Sequence, residues 1–235
     1  MNSYVKKKIF IIIVNYSQAE LTIKCVNSIK KSFLVNPVIV VVDNASPNND
    51  LIILKDELDE DVVLLEATSN NGFAAGTNIG IKYALDNNAD YIMLLNNDTE
   101  IDPYMISKLC NYVNNQTAVS PKMYYYDNPN IIWFAGGEYK KRTGGFYHIG
   151  CDDIDCDKYS SIIQCGFLTG CCIMLSGDSI RKTGLLDEKY FMYMEDVDYS
   201  LRLITNGISL LMIPEAKLWH KVGSSSGGER SILSI

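Results

Sequence analysis

The sequence lacks the features that would place it in a membrane, on nucleic acid or among disulfide-rich proteins. No apolar run approaches the roughly 20 residues of a membrane-spanning helix, and the longest, residues 9–14, is too short for the apolar region of a signal peptide. Acidic residues outnumber basic ones, 28 to 21, which argues against a nucleic-acid partner. Seven cysteines, an odd number in a chain of 235 residues, fit a reducing, cytoplasmic compartment.

Two common nucleotide-binding signatures are also missing. The turn after the first apolar run, Asn15-Tyr16-Ser17, contains no glycine, and the glycine-bearing segment at residues 70–78 lacks Gly-x-Gly-x-x-Gly spacing. A dinucleotide dehydrogenase and a P-loop enzyme are therefore disfavoured. A zinc site is a weak alternative, because its candidate ligands lack paired Cys-x-x-Cys spacing. These candidates are His148, Cys151, Cys156 and Cys165.

What is present is the composition of a globular domain, with 47% hydrophobic and 21% charged residues. Apolar runs alternate with helical patterns over the first hundred residues, which is typical of βαβ units on a mainly parallel sheet. The predicted strands are residues 9–14, 38–42, 62–65 and 91–95. We therefore expect an α/β fold with helices flanking a central parallel sheet.

Helix signals lie between these strands. Ser17-Gln18-Ala19-Glu20 has capping-box spacing, and one apolar face follows, formed by Leu21, Cys25, Ile29 and Phe33. Residues 74–85 also have a helical pattern, and Asp102-Pro103 resembles a cap followed by proline at the first helical position.

The second half is more irregular, with a strand expected at residues 171–175, a helix at 196–205 and a strand at 208–213. No linker interrupts the chain. We expect one domain over residues 1–235, in which residues 1–119 form a nucleotide-binding half and residues 120–235 a smaller lobe that completes the site. The Ser/Gly-rich tail at residues 223–228 is expected either to close over a ligand or to fray.

Polar residues follow three of the predicted strands: Asn15-Tyr16, Asp43-Asn44-Ala45-Ser46 and Asn96-Asn97-Asp98. Ligands of open α/β sheets bind beyond the carboxyl ends of the strands, so these segments predict a binding site. Ordinary turns are the alternative for each segment taken alone. The oxygens around Asp98 suit a hard divalent cation that would also hold a diphosphate.

A second polar cluster, Glu195-Asp196-Val197-Asp198, begins the helix predicted in the second half. Acidic residues are favoured there by the helix dipole alone, but the apolar segment before them would raise a carboxyl pKa for general-base catalysis. Asp198 and Arg202 have the spacing of an ion pair within the helix. His220 is either structural or a further metal ligand.

In this order, these segments resemble family-2 glycosyltransferases of the GT-A fold, particularly the rhamnosyltransferase-like and galactofuranosyltransferase-like branch. They run from Asn15-Tyr16 through Asp43-Asn44-Ala45-Ser46, residues 71–78 and Asn96-Asn97-Asp98 to Glu195-Asp196-Val197-Asp198 and Trp219-His220. The resemblance implies a Rossmann-like sheet and an inverting, metal-dependent transfer. The sugar would pass from a UDP- or dTDP-linked donor to a hydroxyl of a glycan or lipid-linked acceptor, in cell-surface polysaccharide or lipid-linked glycan synthesis.

The resemblance also implies roles for individual residues. Asp98 and His220 would hold Mg²⁺ or Mn²⁺, and Asp196 would be the catalytic base, with Glu195 orienting the acceptor or replacing Asp196. The implied donor-binding residues are Asn15, Tyr16, Asp43, Asn71, Gly76, Asn78, Asn96 and Asn97. Asn96 departs from the family pattern, which has aspartate there, so it would supply an uncharged oxygen or contact the donor.

Two alternatives stay open. A nucleotidyltransferase shares the α/β domain and metal use, although the glycine-rich basic loop that grips a triphosphate is missing after the first strand. A non-catalytic sugar-nucleotide-binding module would use the same binding residues. A cytoplasmic location is expected, with peripheral association at the inner face of the membrane as a further option.

Overall fold

The computed structural model describes residues 7–140 and 145–222, so the predicted tail at residues 223–228 lies outside the described residues. The strands are β1 (Ile9–Asn15), β2 (Val38–Asp43), β3 (Val63–Glu66), β4 (Tyr91–Leu95), β5 (Thr99–Ile101), β6 (Thr117–Tyr125), β7 (Ile132–Phe134), β8 (Gly137–Lys140), β9 (Gly145–His148), β10 (Ile163–Gln164), β11 (Cys172–Ser176) and β12 (Ser209–His220). The α-helices are α1 (Ala19–Lys30), α2 (Asp50–Glu57), α3 (Phe73–Asp86), α4 (Met105–Cys110), α5 (Gly177–Thr183) and α6 (Glu195–Thr205).

One large, mostly parallel sheet carries the fold, in the order β10-β12-β6-β11-β4-β1-β2-β3. The strands β3, β2, β1 and β4 are parallel neighbours, and β11 runs antiparallel between β4 and β6. β1 is apolar on consecutive residues because helices cover both faces of the sheet, and Ile11 and Ile13 are fully buried. The expected α/β sheet flanked by helices is confirmed.

The strand β12 is twice as long as the six residues that its apolar run indicated, because it crosses the end of the sheet. Its first half pairs with β10 and its second half with β5, while β6 lies along its other edge. The last pair joins His220 to Thr99. His220 therefore ends the strand, and the residue before Thr99, Asp98, becomes its spatial neighbour.

The helix α3 packs closely on the sheet, as its small residues allow. A Cβ atom added to Gly80 would lie 2.3 Å from Ile12 Cγ2, so the absence of a side chain sets the distance between helix and sheet. Gly76 meets Val14 and Asn44 in the same interface. The predicted helix at residues 74–85 is confirmed with one residue added at each end.

The predicted capping box of α1 is wrong. Ser17 is in a left-handed conformation, with φ of 57°, and its N–H donates to Ser46 Oγ. The carboxylate of Asp50, which begins α2, accepts the free N–H of Ala19 at 2.9 Å instead. Phe33 also departs from the predicted face, because α1 ends at Lys30 and leaves the Phe33 side chain 53% exposed.

The predicted cap before α4 is displaced. Asp102 Oδ1 accepts the N–H of Tyr104, two residues on, and the helix begins at Met105 rather than at Pro103. None of the helices within residues 7–140 and 145–222 has both the length and the apolar character required to cross a bilayer.

Candidate active site

A cleft of about 530 Å³ opens at the carboxyl edge of the parallel strands. It lies where β1, β2 and β4 end, and the segment that leads into α6 closes its other side. Seven of the residues implied by the resemblance line the cleft: Tyr16, Asn96, Asn97, Asp98, Glu195, Asp196 and His220. Residues far apart in sequence, from both halves of the chain, therefore meet in one site.

Asp98 and His220 form a buried pair on one wall of the cleft. Their Oδ1 and Nε2 atoms are 3.1 Å apart, and the two residues are 2% and 7% exposed. The pairing of β12 with β5 fixes this contact, and the Lys221 N–H donates to the Asp98 carbonyl at 2.8 Å. His220 Nδ1 is buried and has no hydrogen-bond partner among the described residues.

The carboxylate of Asp196 lines the same cleft from the first turn of α6. Its Oδ2 accepts the N–H of Gly170 at 2.8 Å, and its Oδ1 accepts the N–H of Val197 at 2.8 Å. The amino end of a helix stabilises a negative charge at this position. Asp196 is therefore held rigidly, with lone pairs left to accept a proton. The expected ion pair between Asp198 and Arg202 is present at 2.8 Å.

Glu195 has a different environment from Asp196. It is 6% exposed, and its Oε2 atom has no hydrogen-bond partner in the part of the chain that the structure describes. Burial, and then the charge of Asp196, raise the pKa of the Glu195 carboxyl from 4.5 to about 7. Glu195 therefore exchanges a proton near neutral pH.

The segment before Glu195 forms the rim of the cleft. Its side chains from Phe191 to Met194 are each about half exposed, and both Tyr193 and Met194 have φ of 70°, which is unusual for residues other than glycine. The Phe191 carbonyl accepts the Phe73 N–H at 2.7 Å. A Cβ atom on Gly72, whose φ is 94°, would lie 2.3 Å from that carbonyl oxygen, so Gly72 permits this close approach.

Asn15 and Asp43 do not line the cleft but lie beneath its floor. Asn15 is fully buried, and its Nδ2 donates to Asp43 Oδ1 at 2.9 Å. Thr22 Oγ1 donates to Asn15 Oδ1 at 2.7 Å and accepts Asn97 Nδ2 at 3.0 Å. A chain of hydrogen bonds therefore connects the ends of β1, β2 and β4, which gives Asn15 and Asp43 a positioning role in this structure.

Three further residues of the implied donor site also lie outside the cleft lining. Asn78 is buried and holds the loop before the rim, since it donates to the Leu186 carbonyl at 2.9 Å and accepts the Leu186 N–H at 3.0 Å. Gly76 is at the interface between helix and sheet, and Asn71 is exposed and donates to Ser69 Oγ. The sequence pattern placed these residues near the site but could not give their direction.

Two aromatic rings that line the cleft, Trp133 of β7 and His148 of β9, were not expected there from the sequence, which offered His148 only as a candidate zinc ligand. The Trp133 ring packs against His220, with ring centroids 4.3 Å apart, and against His148 at 4.9 Å. The strands that carry them are three and four residues long, too short for a periodic signal. The aromatic and glycine-rich composition of this stretch was the available clue.

The zinc alternative is not formed. Within residues 7–140 and 145–222, no group of three or more histidine, cysteine, aspartate or glutamate side chains is arranged to hold a metal ion. Cys165 is buried and its thiol donates to the Ile163 carbonyl at 3.4 Å, whereas Cys151 and Cys156 are exposed. Asp98 and His220 remain a pair of potential ligands rather than a complete cage.

The sheet order and this cleft define a GT-A fold. The structure resembles GalNAc-T7 with UDP, GalNAc and Mn²⁺ at a TM-score of 0.71 and 15% identity, over 93% of this chain and 44% of that one. It also resembles the mannosyltransferase PcManGT from Pyrobaculum calidifontis in complex with GDP-Man and Mn²⁺, at a TM-score of 0.69 and 14% identity, over 95% of this chain and 59% of that one. Such low identities establish the fold alone.

The family follows from the sequence. Residues 10–176 match the family described as Glycosyl transferase family 2, and the chain belongs to that family. It is 30% identical over 194 residues to the dTDP-rhamnosyl transferase RfbF of Shigella flexneri. This match covers 81% of this chain and 62% of the relative. It is 26% identical over 175 residues to the low-salt glycan biosynthesis hexosyltransferase Agl10 of Haloferax volcanii. This match covers 73% of this chain and 54% of the relative. The chain thus spans little more than half the length of these relatives.

Proposed function

We propose that the protein transfers a sugar, with inversion, from a nucleoside-diphosphate donor to an acceptor hydroxyl, using a divalent metal ion. The observation that carries the proposal is that one cleft is lined both by the buried Asp98–His220 pair and by the carboxylates of Glu195 and Asp196. A direct displacement needs a leaving group and a base on opposite sides of the sugar. We assign the leaving-group side to the Asp98–His220 pair and the base side to the two carboxylates.

The residues on the first wall fit a metal ion shared with the substrate. A carboxylate oxygen and an imidazole nitrogen, 3.1 Å apart, are a donor set that suits Mn²⁺ or Mg²⁺ when diphosphate oxygens and water complete the coordination. When bound, the ion would neutralise charge on the departing diphosphate. Asn96, half-buried at the cleft, offers an amide oxygen without adding charge.

The residues at the ends of β1, β2 and β4 are proposed to bind the nucleotide. Tyr16 is 46% exposed at the cleft and offers its ring to the nucleobase. Asn15 and Asp43 act beneath it through their hydrogen bonds, which hold the floor of the cleft in place. A dTDP-linked donor is the first choice, because the relative that is 30% identical is named for dTDP-rhamnose transfer, and a UDP-linked donor is the second.

On the opposite wall, Asp196 is proposed as the base that takes the proton from the acceptor hydroxyl as its oxygen attacks the anomeric carbon. The two backbone N–H groups of Gly170 and Val197 fix the direction of the carboxylate before the acceptor binds, and such prior orientation lowers the barrier. Glu195, with a raised pKa and an unpaired oxygen, is proposed to orient the acceptor hydroxyl.

The acceptor is proposed to be a glycan or a lipid-linked glycan, and the reaction to occur in the cytoplasm or at the inner face of the membrane. Residues 1–119 would contribute the donor half and residues 120–235 the acceptor half of a single domain. The apolar, half-exposed rim from Phe191 to Met194 suits the stacking of an acceptor sugar ring at the cleft mouth.

Thermal-shift measurements test the proposal, because a ligand that binds the native state alone raises the melting temperature. The purified protein is heated with dTDP, UDP, dTDP-rhamnose and UDP-glucose, each with and without Mn²⁺. We expect a Mn²⁺-dependent shift with one base, lost in Asp98→Ala and kept in the matched variant Glu100→Gln, whose carboxylate pairs with Lys221. A nucleotide shift that is independent of Mn²⁺, or no shift with any nucleotide, would refute the proposed donor site.

A further inference from the structure

His148 lines the cleft, yet the roles proposed above do not use it. It ends β9, and its ring packs edge-on against Trp133 and Phe134, with centroid distances of 4.9 Å in both cases and interplanar angles of 84° and 89°. A third ring, that of Phe167, lies 5.9 Å away. These aromatic neighbours restrict the plane of the imidazole and surround it with apolar rings.

A single backbone contact defines the protonation of this imidazole. His148 Nδ1 lies 3.3 Å from the Trp133 carbonyl oxygen. Because a carbonyl oxygen can only accept, Nδ1 carries the proton. Burial lowers the pKa of His148, so the ring is neutral near pH 7. The other nitrogen, Nε2, is then a bare acceptor, and within the described residues the hydrogen bond of the ring is the one at Nδ1.

The position of His148 relates it to both walls of the cleft. The Trp133 ring contacts His148 and His220 at the same time, so His148 stands one aromatic ring away from the Asp98–His220 pair. The charges of both Asp196 and His220 also act on His148. His148 therefore lines the same part of the cleft as the Asp98–His220 pair and Asp196.

We propose that His148 determines sugar specificity, with its Nε2 atom accepting a hydrogen bond from a hydroxyl group of the transferred sugar. This inference rests on the proposed function, because in a direct displacement the transferred sugar occupies the space between the diphosphate and the base. A fixed acceptor among aromatic rings favours a sugar with a hydroxyl at that place. It discriminates against one without it, since the bound donor would then cover the imidazole nitrogen without giving it a partner.

Calorimetric binding of dTDP and dTDP-rhamnose, and of UDP and UDP-glucose, in the presence of Mn²⁺ tests this inference. His148→Phe keeps the ring shape and removes the acceptor nitrogen. We expect it to weaken binding of the nucleotide sugar about tenfold, and to leave the affinity for the matching free diphosphate within about twofold. His148→Gln, whose amide oxygen can accept, should recover part of the loss. A merely structural role would weaken both ligands together.

The matched control is Tyr147→Phe. Tyr147 is the neighbour of His148 on β9 and donates its hydroxyl to Glu138 across the hairpin, and successive strand residues point to opposite faces. This variant should bind every ligand as the wild type does. Equal binding of the nucleotide sugar by wild type and His148→Phe would overturn the proposal. So would a variant in which only the binding of the acceptor substrate is weakened.

A second measurement needs no variant. Deoxy analogues of the donor sugar, each lacking one ring hydroxyl, are compared on the wild-type protein, and one of them should bind about tenfold more weakly than the parent. Tight binding of all analogues would refute the role of His148. Absence of wild-type binding to both dTDP and UDP would instead refute the proposed function, so the two failures are distinguishable.

Discussion

The two walls of the cleft differ in how their polar groups are hydrogen-bonded. The strand-end wall rests on buried polar side chains that are hydrogen-bonded to one another; of these, Asn97 lines the cleft, and Asn15, Thr22 and Asp43 lie beneath its floor. The carboxylate wall, formed by residues 191–196, exposes aromatic side chains and buries a glutamate oxygen that no hydrogen bond satisfies within the described residues. The first wall contributes to stability, whereas the second is strained where chemistry is proposed.

This difference distinguishes residues that stabilise the fold from residues proposed to act in catalysis. A buried polar network whose members are satisfied fixes one arrangement of the strands, and its two carboxylates, Asp43 and Asp50, both accept hydrogen bonds. Backbone strain and an unpaired carboxyl, in contrast, persist only when the surrounding structure holds them, and such features cluster at active sites. Substitutions in the strand-end wall should therefore reduce stability, and substitutions in the carboxylate wall should reduce activity.

The sharpest test of this contrast is Asp196→Asn. An amide keeps the hydrogen bond from Gly170 to the side-chain oxygen and gives up the one from Val197, because its NH2 group cannot accept, and it cannot take the acceptor proton. We expect kcat to fall about 10³-fold, within the range that a general base contributes, while the melting temperature stays near that of the wild type. Steady-state transfer kinetics with the donor identified by thermal shift provide the measurement.

The control for this variant lies on the same helix. Asp198→Asn removes a carboxylate that pairs with Arg202 outside the cleft lining, and it should leave kcat within about twofold of the wild type. If Asp196→Asn kept its activity and Glu195→Gln lost it, the base would be Glu195 and the roles within the carboxylate wall would be exchanged.

The sequence predicts some features of the two walls and not others. The ends of β1, β2 and β4 are predicted within one residue, because buried parallel strands are apolar on every residue and stop at the first polar ones. That Asp98 and His220 share a site came from the resemblance. Its physical cause is the pairing of His220 with Thr99, a contact between residues more than a hundred positions apart that no local pattern encodes.

The direction of individual side chains was the part that sequence could not give. Asn15 and Asn78 sit in the expected segments, but tertiary hydrogen bonds turn them toward Asp43 and toward the backbone of Leu186. The capping box at Ser17 fails for the same reason, since Asp50 from another helix supplies the acceptor. A local sequence pattern indicates which hydrogen bonds a residue could form. Tertiary packing determines which of them is formed.

Glu195→Gln sharpens the comparison through the pH dependence of stability. The carboxyl ionises near 4.5 when unfolded and at about 7 when folded, because burial and then Asp196 raise its pKa. The folded state therefore holds the extra proton, and its stabilising effect, complete below pH 4.5, is lost as the pH rises through about 7. Between pH 5 and pH 8 the wild type should lose roughly 2 kcal/mol of unfolding free energy relative to Glu195→Gln.

Glu100→Gln is the control for this pH dependence, because its shift has the opposite sign. Burial acts to raise the pKa of Glu100, but the hydrogen bond and charge of Lys221 outweigh burial and lower it below 4.5. Its contribution is lost only as the pH falls below that value, so wild type and Glu100→Gln should keep a constant difference between pH 5 and pH 8. Urea unfolding at several pH values measures both differences, and a flat curve for Glu195→Gln would mean that Glu195 titrates normally.

Thr22→Val probes the strand-end wall with the smallest expected effect. The substitution preserves side-chain shape but removes the hydroxyl that donates to Asn15 and accepts from Asn97, so two buried polar groups each lose a partner. We expect the unfolding free energy to fall by about 1–2 kcal/mol, whereas Thr205→Val, at an exposed helix end, should change it by less than about 0.5 kcal/mol. Because Thr22 lies beneath the floor rather than in the cleft, kcat should change less than it does in Asp196→Asn. A loss of kcat as large as that of Asp196→Asn, without a loss of stability, would show that the two walls are not separable in function.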